Sequence, residues 1–181
     1  MVTVRVPATT ANLGPGFDTL GLALALYNTL TFEELAEGLY FEGVDPEYAT
    51  AENLAVVAYK AVLSKLGLPM PGLRISVQAE IPICRGLGSS AALIAAGAAG
   101  ANANHGSPLT RAELLAVCND IEGHPDNLAP AIFGGLVASF VENERPYIAR
   151  YSLHKRLRCT ALIPDFQLST HLARGVLPKE V

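Results

Sequence analysis

Charge is scarce in this chain. Only 17% of its 181 residues are Asp, Glu, Lys or Arg, the formal net charge is −4, and the basic side chains form no block. Binding to a phosphate backbone needs clustered Lys and Arg, so the composition argues against nucleic acid as a partner. Cysteine is sparse as well. Cys84, Cys118 and Cys159 are odd in number and widely spaced, which matches neither a zinc site nor a disulfide framework and points to reduced thiols. Long hydrophobic runs are missing: the apolar stretches at 20–26 and 91–101 fall short of the roughly 20 residues that span a bilayer. The first residues lack a secretory core, and no internal repeat or low-complexity segment interrupts the chain. The expectation is a soluble, cytoplasmic protein that touches no membrane. What the chain has in quantity is apolar side chains, 50% of the total. That is enough for a sizeable core in one domain, or in one domain and part of another.

The chain is organised around Pro82-Ile83-Cys84-Arg85-Gly86-Leu87-Gly88-Ser89-Ser90-Ala91-Ala92. Upstream, residues 73–81 alternate apolar and polar, the period of a half-buried strand. Downstream, residues 91–102 are almost all Ala, Gly, Leu and Ile, which suits a buried helix packed close to its neighbours. Between them, Gly86 and Gly88 let backbone amides approach an anion, while Ser89 or Ser90 can cap the helix and offer a hydroxyl. Free N–H groups and the positive helix end would then face one point. An ordinary serine-capped turn would look similar. A dinucleotide fingerprint also matches Gly86-x-Gly88-x-x-Ala91, but it requires a strand after the helix. Here residues 109–118 read as another helix. A Walker A loop requires a Lys that is absent, which leaves a nucleotide-phosphate loop of another kind.

Other segments read as follows. Residues 2–6 alternate as a strand ended by Pro7. Residues 8–21 read as a scaffolded loop offering Asn12 and Asp18, held by Leu13 and Phe17. Residues 22–32 read as strand, and an edge strand is expected around 39–41. A helix over 53–66 opens on Asn53, which can serve as its N-cap. Thr110 and Glu113 make a capping-box pattern. The acidic segment 119–130 reads as a loop, because Gly123 and Pro125 oppose a helix presenting one ligand face. Its alternating Asp120, Glu122, His124 and Asp126 fit no all-protein metal cage. Magnesium serving a nucleotide takes fewer protein ligands, and Glu122 with the Ser90 hydroxyl could supply them. Residues 131–140 read as a glycine-started strand, and 159–164 as a further buried strand.

Pro82-x-x-x-Gly86-Leu87-Gly88-Ser89-Ser90-Ala91 resembles the ATP-binding motif of the GHMP kinases, the superfamily of galactokinase, homoserine kinase, mevalonate kinase and phosphomevalonate kinase. The segment from Asn12 to Asp18 resembles the homoserine kinases in particular, since other members carry Gly-Glu-His there. The resemblance implies ATP and Mg2+ as cofactors, with residues 82–92 and Asn53 at the nucleotide and Ser90 and Glu122 at the metal. It implies L-homoserine as the small-molecule substrate, bound by Asn12, Asp18, His124, Asn127 and the Thr-x-x-x-Arg pair Thr170 and Arg174. A bidentate guanidinium at Arg174 suits a carboxylate. Phosphoryl transfer to the homoserine side-chain hydroxyl, a step of threonine biosynthesis, is the implied reaction, with Asn127, Glu122 and Ser90 at its centre. Asn127 cannot accept a proton at neutral pH. The hydroxyl proton would then pass to the phosphate or through substrate positioning, and Asp126 is the neighbouring carboxylate that could be a base instead.

The implied fold is α+β, like the second domain of ribosomal protein S5, with a left-handed β-α-β crossover. Residues 1–151 would form the N-terminal, ATP-binding domain. Residues 152–181 would open a ferredoxin-like C-terminal domain that is cut short, since the family's third glycine-rich motif is absent. Two alternatives stay open: a GHMP kinase for another small hydroxyl substrate, and a catalytically inactive nucleotide-binding fragment. Homodimers are common among relatives of this kind.

Overall fold

The structure, a computed structural model, describes residues 1–163. Its spine is β2 (Leu20–Leu35), sixteen residues long, with Asn28, Leu30 and Phe32 buried at alternate positions. β1 (Val2–Thr10) pairs antiparallel along one edge of β2, over residues 22–32. β4 (Gly72–Ala79) takes the other edge over residues 28–35, and β5 (Leu136–Glu142) takes that same edge over 20–22. β3 (Leu39–Glu42) lies outside β4 and parallel to it. β6 (Arg145–Tyr151) closes the far side as a hairpin with β5. The parallel β3–β4 pair is joined through α1 (Leu54–Lys65), so the α+β expectation holds, as does the edge strand near residue 40.

Pro7 does not end β1. It pairs in register with Tyr27, and the ladder slips only afterwards, between Pro7 and Thr9. A proline fits at a bulge on a strand partnered by a single neighbour, where its missing N–H costs little.

One core lies between the sheet and the helices. Val6, Leu30, Phe32, Leu73 and Ile75 from the sheet meet Val62 and Leu63 of α1 and Ile94 of α2 (Ser89–Asn104). Each fully buried side chain of this size contributes roughly 1.5–3 kcal/mol of transfer free energy, before conformational entropy opposes it. The small residues of α2 bring backbones together as its composition implies. A Cβ on Gly97 would sit 2.1 Å from the Ala55 carbonyl oxygen, and one on Gly100 would sit 2.5 Å from the Phe32 ring.

α3 (Arg111–Glu122) opens on the expected capping box, with the Thr110 hydroxyl accepting from Glu113 N–H and the Glu113 carboxylate accepting from Thr110 N–H. It runs further than expected. Gly123, at φ 88°, stops it, so Asp120 and Glu122 lie on the helix and the loop is only 123–127. Gly123 and Pro125 break the helix just after the carboxylates rather than among them. Next comes a short helix, α4 (Leu128–Phe133), where a strand was expected from residue 131. Pro130 stands in its first turn, where the lost N–H has no intrahelical partner in any case. Gly134 and Gly135, both near φ +70°, then turn the chain into β5. Residues 159–163 are exposed and belong to no strand, against the expected buried strand over 159–164. No neighbouring strand pairs with them among the described residues.

Candidate active site

β4 is ended by a side chain rather than by a turn. Asn28 is buried on β2, and its Oδ1 accepts the N–H groups of Glu80 and Ile81 at 2.9 Å each. This satisfies two donors leaving the sheet and aims the chain into the glycine-rich turn. There Cys84, Gly86 and Gly88 take φ of 55°, 69° and 65°. Gly88 is the N-cap of α2 and contributes no side chain. The expected serine cap is therefore absent: Ser89 and Ser90 are the first helical residues, and Ser90 Oγ donates to Glu122 Oε1 at 2.7 Å. The capping job goes to a left-handed glycine, which brings backbone alone to the first helical turn. The unpaired N–H groups of that turn and the positive end of a 16-residue helix make a seat for an anion.

Beside this turn lies a cavity of about 500 Å³ lined by Val44, Tyr48, Asn53, Leu54, Ile81 and Ile83, reaching Cys84, Ser89 and Ser90. Its size and mostly apolar lining suit a flat heterocycle with a polar tail. Asn53 does two things here. Its Oδ1 accepts Ala55 N–H at 3.0 Å as the N-cap of α1, and its Nδ2 donates to the Tyr48 carbonyl at 2.9 Å. The helix start and one cavity wall are thereby tied together. The charge of neighbouring Glu47 pushes the Tyr48 phenol above its ordinary pKa, so it stays neutral. A second groove, about 490 Å³, lies by Thr29, Thr31 and Ser76 and shares none of the glycine-rich turn.

The 123–127 loop meets the same turn from the other side. Asp126 is 2% exposed, and its Oδ1 receives His124 Nδ1 at 2.7 Å and Asn127 N–H at 2.7 Å. An oxygen accepting the backbone N–H is an acceptor, so Nδ1 carries a hydrogen directed at it. A carboxylate committed in this way organises the loop and is poorly placed to take a substrate proton. Asn127 reaches past it to Thr9, whose hydroxyl donates to Asn127 Oδ1 at 2.9 Å.

Asn12 lies beside the cradle, its Nδ2 3.8 Å from where a Cβ on Gly86 would stand. Asp18 follows a short 3-10 turn (Gly14–Gly16) at φ 57°. Three residues later Gly21 packs against the Asp126 carbonyl oxygen, where a Cβ would come within 2.0 Å. Three residues span at most about 10 Å, so the Asp18 and His124 loops share one side of the molecule. Phe17 does not hold this loop, being 46% exposed; Leu13 is half-buried. Thr170 and Arg174 lie outside the described residues.

Thr9 and Asn28 were missed by sequence reasoning. Asn28 left a signal, as a polar residue on the inward face of a strand otherwise bearing Leu30 and Phe32. Thr9 left none, because its partners are 78 and 118 positions away. Among the described residues no three His, Cys, Asp or Glu side chains cluster as a metal cage. The hydrogen-bonded Ser90–Glu122 pair at the helix start is the donor set that fits a magnesium ion shared with phosphates.

Residues 53–135 match the family described as GHMP kinases N terminal domain. The mixed sheet with α1 to α4 has the fold of a GHMP kinase N-terminal domain. Within that class the whole chain is 47% identical over 181 residues to a homoserine kinase of Clostridium botulinum. It spans 61% of the length of the curated relatives it matches. A crystal structure of homoserine kinase from Cytophaga hutchinsonii superimposes with a TM-score of 0.78 at 28% identity, over 99% of this chain and 61% of that one. The Methanococcus jannaschii mevalonate kinase shares the fold alone, at 16% identity and a TM-score of 0.64, over 83% of this chain and 56% of that one. No helix among the described residues is long and apolar enough to cross a membrane.

Proposed function

We propose that this chain carries the ATP and acceptor sites of a homoserine kinase, which moves the γ-phosphoryl group of ATP to the side-chain hydroxyl of L-homoserine. One observation carries the reading: an apolar cavity opens onto the N-terminus of α2, where the Ser90–Glu122 pair meets the turn that Thr9 links to Asn127. Phosphoryl transfer asks mainly for positioning and charge neutralisation. The nucleoside would lie in the cavity beside Asn53, with its phosphates on the amides of 86–90. Ser90 and Glu122 would hold magnesium, which offsets phosphate charge when bound. Asn12, Asp18, His124 and Asn127 would place the amino acid, and an anionic Asp18 suits its ammonium group. Residues 1–151 would act as the nucleotide-binding unit.

The test is ADP formation from ATP and magnesium with L-homoserine, beside mevalonate, galactose and shikimate. Homoserine-dependent turnover, with the other three near background, is the expected outcome. Turnover on another acceptor, or nucleotide binding without turnover on any, would end the homoserine reading. Asp18→Ala should raise the homoserine KM at least about tenfold while the ATP KM stays within about twofold.

A further inference from the structure

The Asn127 carboxamide has a fixed direction. Its Oδ1 receives the Thr9 hydroxyl at 2.9 Å, and a Cβ on Gly88 would stand 3.2 Å from it. Its Nδ2 lies on the Asp126 side, 3.4 Å from Oδ1 of that carboxylate. Turning the amide over would set oxygen against a carboxylate oxygen, so the pairing selects one orientation. The carbonyl end is thus consumed between Thr9 and Gly88, and a second N–H remains to leave the network. Thr9 is itself fully buried, and its N–H donates to the Leu87 carbonyl within the phosphate turn at 3.1 Å.

We propose that Thr9 is a positioning residue, holding the Asn127 amide so that its NH2 end, and not its carbonyl, faces the acceptor hydroxyl. Asn127 then acts as a hydrogen-bond donor to the acceptor oxygen and never as the recipient of its proton. Because the Thr9 backbone N–H also binds the turn, one residue sets the phosphate seat and the acceptor contact relative to each other. The proposal rests on the kinase reading above, since it needs an acceptor at Asn127.

The test compares Thr9→Val, which keeps the shape and removes the donor, with Thr9→Ser, which restores the donor. In the full protein, T9V should lower kcat about 10–100-fold, the size of effect that misplacing a reacting group produces. Both KM values should stay within about twofold, and T9S should keep at least about a third of wild-type kcat. If T9V fails to fold by circular dichroism, Thr9→Ala, with room for a water at Oδ1, takes its place. A T9V enzyme with wild-type kcat, or a T9S enzyme as impaired as T9V, overturns the proposal. Should wild type show no homoserine turnover, the kinase reading fails on its own, and the Asn127 side-chain 15N–1H signals decide. They should shift and exchange at least about tenfold faster in T9V but not in T9S; signals unchanged in T9V overturn the proposal without any assay of activity.

Discussion

Gly88 shows how much one residue carries. Its φ of 65° is costly for any side chain, and a Cβ there would lie 2.0 Å from Thr9 Oγ1. Gly88→Ala must therefore push Thr9 away and break its bond to Asn127. The expected outcome is at least about a 100-fold loss in kcat/KM, measured beside Gly67→Ala, whose φ is 72° but whose Cβ would meet nothing within 4 Å. The control carries the backbone strain without the collision. The thiols separate by burial. Burial first, then the Glu122 charge, pushes the Cys118 thiol up to about 12 from 9.0, whereas Cys84 and Cys159 are exposed. A thiol reagent at pH 8 should therefore label two cysteines in the folded protein and three after unfolding. ATP should slow labelling of Cys84, which lines the cavity, and leave Cys159 unchanged. Because the folded pKa of Cys118 is raised, its contribution to stability is present below pH 9 and is lost as pH rises from there toward 12.

At the scale of elements, α2 is the part with least freedom. Asn102 is the one polar residue among its buried positions, and the helix relies on glycine where it crosses α1 and β2. Gly97→Ala would drive a methyl group into the Ala55 carbonyl, and overpacking of this kind costs about 1–3 kcal/mol. Chemical denaturation should report that loss, with Ala99→Gly as a control for helix propensity alone. Asn53→Ala removes the cap of α1 and the tie to Tyr48, so about 1 kcal/mol of stability should go, together with a rise in the ATP KM. Elements with strong local chemistry were legible beforehand: the capping box at Thr110, the 3.6-residue period of α1 and the alternation of β4. α4 was not, because six residues followed by two glycines carry no period, and β1 overran Pro7 because a bulge absorbs what a regular ladder would not.

Across the whole molecule, β1, the glycine-rich turn, α3 and the 123–127 loop converge at one place from opposite ends of the sequence. Ligand binding to the folded state alone adds about 2.7 kcal/mol at 100 times Kd. An ATP analogue with magnesium should therefore raise Tm by several degrees, and Glu122→Gln should remove the magnesium-dependent part of that rise. What the amino-acid sequence determined by itself is everything local: a strand, a glycine-rich turn and an alanine-glycine helix over 73–102, each dictated by neighbours a few residues apart. It also supplied the family motif that marked Asn12, Ser90, Glu122 and Asn127. Only tertiary structure decided that Thr9 would orient Asn127, that Asn28 would end β4, and that Ser90 would spend its hydroxyl on Glu122 instead of capping. Those are one or two hydrogen bonds each, across 32 to 118 residues of chain, and a bond at that separation exists only after the sheet and helices have brought its two ends together.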